Sequence, residues 1–430
     1  MTYADFLASK TSAVPEVGAT ISTGQVHQTL HPWQAEIVTW ACHVGRAAVW
    51  ADTGLGKTFM QIEWLRLMAG DQSGLIVAPL AICHQTVREA TKLGVTLTYV
   101  REQPTNPGLY ITNYEMVDRF DADEFRAVVL DEASILKSSD GKMRTLLIRQ
   151  FATTPYRLAC TATPAPNDPE ELTNQAEFLG HMSRTHMLAA YFIHDDQGWR
   201  LKGHARRPMY QWMSTWAVAI RKPSDMGYPD TGYILPGLEV IPEYVHVPLE
   251  VDDQLFATDL GGVGGRAKVR RETLDARVAR AVDVINAEPG EPWLVWCGLN
   301  DEASAITAAI PGAVNVQGSL TPEQKADYLL GFSDSRIRVM VTKPSIASQG
   351  LNYQHCARMV FVGLSDSYET YYQAIRRCYR YGQTRVVRAH VVLSELESQI
   401  ASNVARKERD AAHITAALVA EMSAARKDRA

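Results

Sequence analysis

The chain has 430 residues, 46% of them hydrophobic and 21% charged, with a formal net charge of −5 at pH 7. This composition describes a globular protein with room for two or three domains of about 100–200 residues, and it excludes binding nucleic acid by bulk positive charge, though not through a local basic groove. The six cysteines (Cys42, Cys83, Cys160, Cys297, Cys356 and Cys378) form no C-x-x-C pair, so neither a zinc site nor a disulfide framework is indicated, and reduced core thiols of a cytosolic protein are expected. Residues 1–30 read as an N-terminal extension. Met1–Lys10 has no basic stretch followed by an apolar core, so no secretion signal is expected, and no apolar run approaches the ~18–20 residues of a membrane span.

From 31 to 178, short apolar runs alternate with helix-like stretches. Strands are expected at Ala47–Trp50, Leu75–Ala78, Leu109–Thr112, Val128–Leu130 and Tyr156–Cys160, the pattern of a parallel sheet covered by helices. The first run leads into Ala51-Asp-Thr-Gly-Leu-Gly-Lys-Thr58, and the helix-like Phe59–Met68 follows. A strand, a glycine-bearing turn and a helix make the setting of a phosphate-binding loop. Gly54 and Gly56 let the backbone close round an anion at the positive end of the helix. Lys57 would then reach the β- and γ-phosphates, and the Thr58 hydroxyl would hold Mg²⁺. Ala51 stands where the full pattern has glycine, so the match is the shorter G-x-G-K-T, which alone is also compatible with a glycine turn bearing an exposed lysine. About 75 residues further on, Val128-Val-Leu-Asp-Glu-Ala-Ser134 carries an apolar strand into adjacent carboxylates. At the C-terminal edge of a parallel sheet Asp131 would orient a Mg²⁺ hydration shell and Glu132 would polarise a water as general base. The alternative is a strand end followed by an acidic helix cap.

Residues 179–280 change texture and read as an insert or linker, rich in aromatics, His and Pro and without strand–helix rhythm. Within it, residues 194–222 mix rings with cations (His194, Trp199, Arg200, Lys202, His204, Arg206, Arg207, Trp212, Trp216), which suits either a nucleic-acid platform or a small helical insert packing its own tryptophans. Asp259–Arg266 reads as a glycine hinge. A second α/β series is expected over 281–398, with strands at Trp293–Cys297, Ala313–Val316, Ile337–Val341, Met359–Val362 and Val387–Val392. Near its end lies Gln373-Ala-Ile-Arg-Arg-Cys-Tyr-Arg380-Tyr-Gly-Gln383. On one helix Gln373, Arg377 and Arg380 would share a face at i, i+4 and i+7, able to project two guanidinium groups into a cleft. The alternatives are a solvated basic face and a nucleic-acid-binding one. Residues 399–430 should form a helix whose Ile414, Leu418 and Met422 make one apolar stripe against the body. No H-E-x-x-H or Gly-x-Ser-x-Gly pattern is present, so zinc hydrolase and serine esterase chemistry have no support.

The ordered motifs resemble those of superfamily 2 helicases and translocases, nearest the SWI/SNF-like branch. Leu30-His-Pro-Trp-Gln34 resembles the adenine-reading glutamine motif, Ala51–Thr58 motif I, Leu75-Ile-Val-Ala-Pro79 motif Ia and Ile111-Thr-Asn-Tyr-Glu115 motif Ib. Asp131-Glu-Ala-Ser134 is similar to motif II, and Leu158-Ala-Cys-Thr-Ala-Thr-Pro164 to motif III, with Asn167 near its end. Trp293–Cys297 resembles motif IV, Ser348-Gln-Gly-Leu-Asn352 the core of motif V and Gln373–Gln383 motif VI. The resemblance spans roughly 30–395, and the ordered set is far more specific than any one member.

The resemblance implies two tandem RecA-like α/β domains with ATP and Mg²⁺ in the cleft between them. Its ATP-binding residues would be Gln34, Thr53, Gly54, Leu55, Gly56, Lys57, Thr58, Gly350, Asn352 and Gln373. Thr58 and Asp131 would hold Mg²⁺, largely through water. Glu132, Lys57, Arg377 and Arg380 would be catalytic, while Pro79, Asn113, Tyr114, Thr161 and Thr163 would lie near nucleic acid or couple to it. The implied activity is ATP-dependent movement along DNA, single-stranded or duplex, held through its backbone. An RNA-dependent ATPase and a nucleotide-gated protein-interaction module are the alternatives. By analogy, the small size and the absence of expected accessory domains lead to the expectation of a minimal phage-type or mobile-element member, in bacterial or phage-infected cytoplasm. Three departures stand out: motif V is longer upstream, Arg376 replaces the usual Asp or Gly, and 220–236 only faintly resembles the family's basic inter-domain segment.

Overall fold

The computed structural model describes residues 14–138, 141–166, 168–196, 198–246, 271–347, 353–363, 367–394 and 398–427. Motif V's Gly350 and Asn352, Asn167 and the glycine segment 259–266 lie outside that set, as does the Met422 side chain. The chain divides into two units. One runs up to Thr231 and takes in the C-terminal helix from Arg409, and the other spans Gly232–Glu408.

The first unit is built on strands β1 (Arg46–Ala51), β2 (Gly74–Ala78), β3 (Leu97–Tyr99), β4 (Leu109–Asn113), β5 (Ala127–Asp131), β6 (Tyr156–Cys160), and, beyond a two-stranded ribbon of β7 (Phe192–Asp195) and β8 (Gly198–Leu201), β9 (Ala217–Ile220). Seven of them form one sheet in the order β3-β4-β2-β5-β6-β1-β9, and every pairing in it is parallel. Runs such as Ala127-Val-Val-Leu-Asp131 are buried throughout because helices cover both faces. Register decides what this sheet presents at its edge. Cys160 pairs with Val49 on one side and with Asp131 on the other. Strands β6 and β5 therefore end level, β1 runs two residues further to Ala51, and the loops that leave all three share one edge.

The helix Pro32–Val44 begins with Pro32 in its first turn and Gln34 reaching back to the His31 N–H, and it stops at Gly45, whose φ of 76° suits glycine alone. Residues 179–280 do not form one body. Ala217–Ile220 pairs with β1 as an edge strand, whereas Leu238–Val245 is a strand of the other unit's sheet. The 194–222 segment is divided too. Trp212 and Trp216 are buried, with the Trp216 ring 5.3 Å from Trp212, 5.8 Å from Trp50 and 5.2 Å from His181, while Trp199 is exposed. Ile414 and Leu418 of the C-terminal helix are buried, and Ser423 donates to the Asp225 carbonyl.

The second unit holds β10 (Leu238–Val245), β11 (Trp293–Cys297), β12 (Val314–Val316), β13 (Val339–Thr342), β14 (Arg358–Val362) and β15 (Val387–Ser394), in the parallel order β10-β15-β14-β11-β13-β12. Its core packs Trp293, Val295, Val341, Val360 and Val362 against Ile285 and Ile306 of the flanking helices. Beneath the sheet edge lies a fully buried ion pair. Arg277 Nη1 donates to Glu302 Oε1 at 2.6 Å and to the Val362 carbonyl, and Glu302 Oε2 accepts from the Gly298 and Leu299 N–H groups. All six cysteines of the chain are buried. Among the described residues no helix is long and apolar enough to cross a membrane.

Candidate active site

The loop after β1 leads straight into the helix Lys57–Ala69. Gly54 (φ 90°) and Gly56 (φ 73°) turn the backbone through the left-handed region, which residues with a Cβ rarely enter. Gly56 has a second constraint: a Cβ there would lie 2.4 Å from Gln34 Nε2. Gln34 is buried and donates to the Leu55 carbonyl at 2.9 Å, so its amide braces the loop from below. Asp52 accepts the Thr53 N–H at 2.6 Å. Lys57 Nζ donates to the Ala51 carbonyl at 2.7 Å, which holds the ammonium over its own loop, and Thr58 stands half-buried in the helix's first turn.

Two strands away, Asp131 ends β5. Its Oδ1 accepts from Gln61 Nε2 at 2.7 Å and from the Glu132 N–H at 3.0 Å. Burial pushes this carboxyl above the ordinary range, against the pull of the Gln61 amide, the Lys57 ammonium and the Glu132 N–H. Sequence reasoning missed Gln61. It sits at i+4 from Lys57, so helical spacing already put both on one face. Glu132 has φ 57°, a conformation that costs a non-glycine residue about 1–2 kcal/mol, and the turn it makes directs its side chain so that the Thr161 hydroxyl donates to Oε2 at 3.4 Å. Thr161 Oγ1 in turn accepts from the Thr163 N–H at 3.1 Å. This segment is also tied to the β1 strand: Gln175 accepts from Trp50 Nε1 at 2.8 Å and donates to the Pro164 carbonyl at 2.9 Å. Lys57, Gln61, Asp131, Glu132, Thr161 and Thr163 thus form a linked set along one sheet edge.

The donor set can be tested against a magnesium nucleotide. A buried carboxylate opposed only by dipoles and one lysine suits a divalent cation, and buried Gln61 Oε1 and Thr163 Oγ1 have no hydrogen-bond partner among the described residues. The loop offers N–H groups and an ammonium to anionic oxygens. The residues fit such a ligand.

Other expected residues lie elsewhere. Asn113 and Tyr114, expected near a phosphodiester backbone, are 1% and 4% exposed. The Tyr99 hydroxyl donates to Asn113 Oδ1 at 2.9 Å, and the Tyr114 hydroxyl donates to the Asp131 carbonyl at 2.6 Å. Both side chains are internal braces, Tyr114 beneath the acidic pair, where burial, aided by the charge of that pair, drives its phenol pKa well up. Pro79 is half-buried at the start of the helix Leu80–Lys92, beside the exposed Leu80.

In the second unit the helix Tyr368–Ile375 includes Gln373 but ends before either arginine, so the expected single face at i, i+4 and i+7 does not form. The chain tightens into turns, with Arg377 N–H to the Ala374 carbonyl and Cys378 N–H to that of Ile375, and the Tyr353 N–H captures the Arg377 carbonyl. Gln383 fixes the far end: its amide donates to the Cys356 and Cys378 carbonyls and accepts from the Thr384 and Arg385 N–H groups. Arg376 lies over the rings of Tyr372 and Tyr379, 5.0 and 5.3 Å from their centroids, so it braces the turn. Burial, with Arg377 and Arg376 alongside, lowers Arg380 to about 10, which leaves it charged at neutral pH.

A glycine loop on a lysine-led helix, with an acidic pair two strands away on the same edge of a parallel sheet, defines a P-loop nucleotide hydrolase. Residues 33–189 match the SNF2-related domain and residues 276–382 the helicase conserved C-terminal domain. The chain belongs to the SNF2-related, superfamily 2 helicase-like ATPases, a nucleic-acid-dependent class, and its two sheets are the tandem RecA-like domains of that family. It is 26% identical over 184 residues to protein p41 of Acyrthosiphon pisum secondary endosymbiont phage 1, a match over 36% of this chain and 40% of that protein; the chain thus spans less than half the length of that curated relative. Among solved structures it is similar to the Sulfolobus solfataricus SWI2/SNF2 ATPase core in complex with dsDNA (18% identity, 87% of this chain and 90% of that one, TM-score 0.45). It is likewise similar to the core domain from the same organism (18% identity, 91% of each chain, TM-score 0.44).

Proposed function

We propose that the chain is an ATP-dependent DNA translocase or helicase whose hydrolytic centre is the edge formed by Gly54–Thr58, Gln61, Asp131, Glu132 and Thr161. The observation that carries this reading is the continuity of that edge: direct hydrogen bonds join the phosphate loop's helix, the acidic pair and the motif III threonines at the same end of neighbouring strands. Bound Mg-ATP would supply a phosphoanhydride open to attack by water. Lys57 and the loop N–H groups would bind its phosphates, Thr58 and Asp131 would hold the metal, largely through water, and Gln34, which braces the loop, is assigned to the base on the strength of the glutamine motif. Glu132 takes the proton from the attacking water, and Thr161, donating to Glu132, carries its state into the segment through Thr163 and Pro164.

On the strength of the family's motif VI we assign Arg377, Arg380 and Gln373 to the same reaction, the arginines to the charge that develops on the γ-phosphate. Cleft closure coupled to movement along DNA belongs to this proposal, as does the division into a first ATPase domain near 31–178 and a second near 281–398. Lys57→Ala and Glu132→Gln should each lower DNA-stimulated ATP turnover by at least about 100-fold while leaving the thermal midpoint within about 2 °C. Turnover at the wild-type rate in either variant removes the assignment of the site.

A further inference from the structure

At the end of the first sheet opposite the hydrolytic edge, two arginines stand side by side. Arg46 begins β1 and pairs in register with Arg157 of β6. Their guanidinium groups converge beside Gly180, the exposed glycine (φ 77°) that ends the helix Leu172–Leu179. A Cβ built on Gly180 would lie 2.9 Å from Arg157 Nη2 and 3.2 Å from Arg46 Nη1, so both cations border one spot that a side chain at this position would take.

Neither arginine has an acidic partner among the described residues. The Arg46 side chain makes one hydrogen bond there, from Nε to the Pro155 carbonyl at 3.0 Å, and the Arg157 side chain one, from Nη1 to the Phe178 carbonyl at 2.6 Å. Arg157 is 3% exposed, and its buried Nε has no hydrogen-bond partner among the described residues. The bond to Phe178 caps the helix, which accounts for one cation at the negative end of its dipole and gives no reason for the second. It also uses only a fraction of what a guanidinium can donate. Charge and burial act together here. Burial, then Arg46, lowers Arg157 to about 10, and burial lowers Arg46 as well. Burial and the same two arginines hold His181, next to Gly180 in the chain, in its neutral form.

We propose that Arg46 and Arg157 form a binding site for a small dianion of the phosphate class, seated beside Gly180 and meeting Nη groups of both arginines. Two cations with no carboxylate between them match two negative charges, and the fork of N–H groups on a guanidinium matches the oxygens of a phosphate. Arg46, half-buried, is the member that faces solvent, with Arg157 behind it. The site lies at the other end of the strands from Lys57 and does not rest on the function proposed above.

The test is thermal unfolding of the full-length chain at about pH 8 and constant ionic strength, in chloride and with about 10 mM inorganic phosphate, which is a dianion there. Every chain carries Lys57→Ala, so that the phosphate loop's ammonium does not compete for the probe. Phosphate should raise the midpoint of the Lys57→Ala chain by about 3 °C, the shift given by a ligand at about ten times its dissociation constant. Adding Arg46→Gln should abolish the rise, whereas adding Arg46→Lys, which keeps the charge, should retain part of it. Dimethyl phosphate, a monoanion like the diester of a nucleic-acid backbone, should give a clearly smaller rise. A general salt effect acts on every variant alike. An equal rise in the Arg46→Gln chain, or no rise in Lys57→Ala alone, therefore overturns the site, and an equal rise with dimethyl phosphate overturns its assignment to a dianion. All of these results leave the proposed function standing.

Discussion

At the scale of single residues, the site spends conformational energy to place its groups. Glu132 sits at φ 57° directly after a buried strand. An unconstrained glutamate would leave that well, so the surrounding hydrogen bonds to Asp131 and Thr161 must hold it there. His181 shows the opposite economy, a titratable group kept neutral. Its Nε2–H donates to the Arg46 carbonyl at 2.8 Å, and burial, aided by Arg157 and Arg46, lowers its pKa to about 4. The folded pKa lies below the unfolded value of about 6.5, so the unfolded chain binds the proton first and stability falls as pH drops through that window. Between pH 7 and 5 this one group should cost the first unit about 2 kcal/mol, and His181→Asn should flatten the pH dependence of the unfolding midpoint by that amount. An unchanged slope in the variant would show that another group titrates there.

At the scale of elements, the buried Arg277–Glu302 pair ties together two helix starts, the Gly298–Leu299 loop and the end of β14. Replacing either partner alone leaves an uncompensated buried charge, which typically costs about 3–5 kcal/mol. Arg277→Met and Glu302→Leu should each destabilise the second unit by that much, and the double variant should recover a large part in urea unfolding. Strictly additive losses would mean that the two side chains are not energetically coupled. All ten strands expected from apolar runs are present, because a parallel sheet buried on both faces leaves uninterrupted Val, Ile and Leu in the sequence. Short β3 and edge strands β9 and β10 were not legible. Leu238–Val245 has Pro242 and two glutamates in a half-exposed edge position, where burial imposes no pattern. The arginine motif was legible as a string but not as a shape, since the turn after Ile375 is made by contacts with Tyr353 and Gln383, far away or outside the helix period. The burial of Asn113 and Tyr114 was not legible, because polar side chains buried as braces carry the same letters as polar side chains in contact with a ligand.

At the scale of the whole molecule, two α/β units each close a parallel sheet, and the first carries a complete phosphate-and-carboxylate edge. The family match reaches both units, so the chain has the parts of a nucleic-acid-dependent ATPase. Its net charge of −5 means that long-range attraction to a polyanion must come from local patches. The most direct test of the account is ATP turnover by the full-length chain with no polymer, single-stranded DNA, duplex DNA and RNA, in parallel with Lys57→Ala. The account predicts turnover that rises at least about ten-fold with DNA and vanishes in the variant. Turnover indifferent to every polymer, or raised by RNA alone, would contradict it.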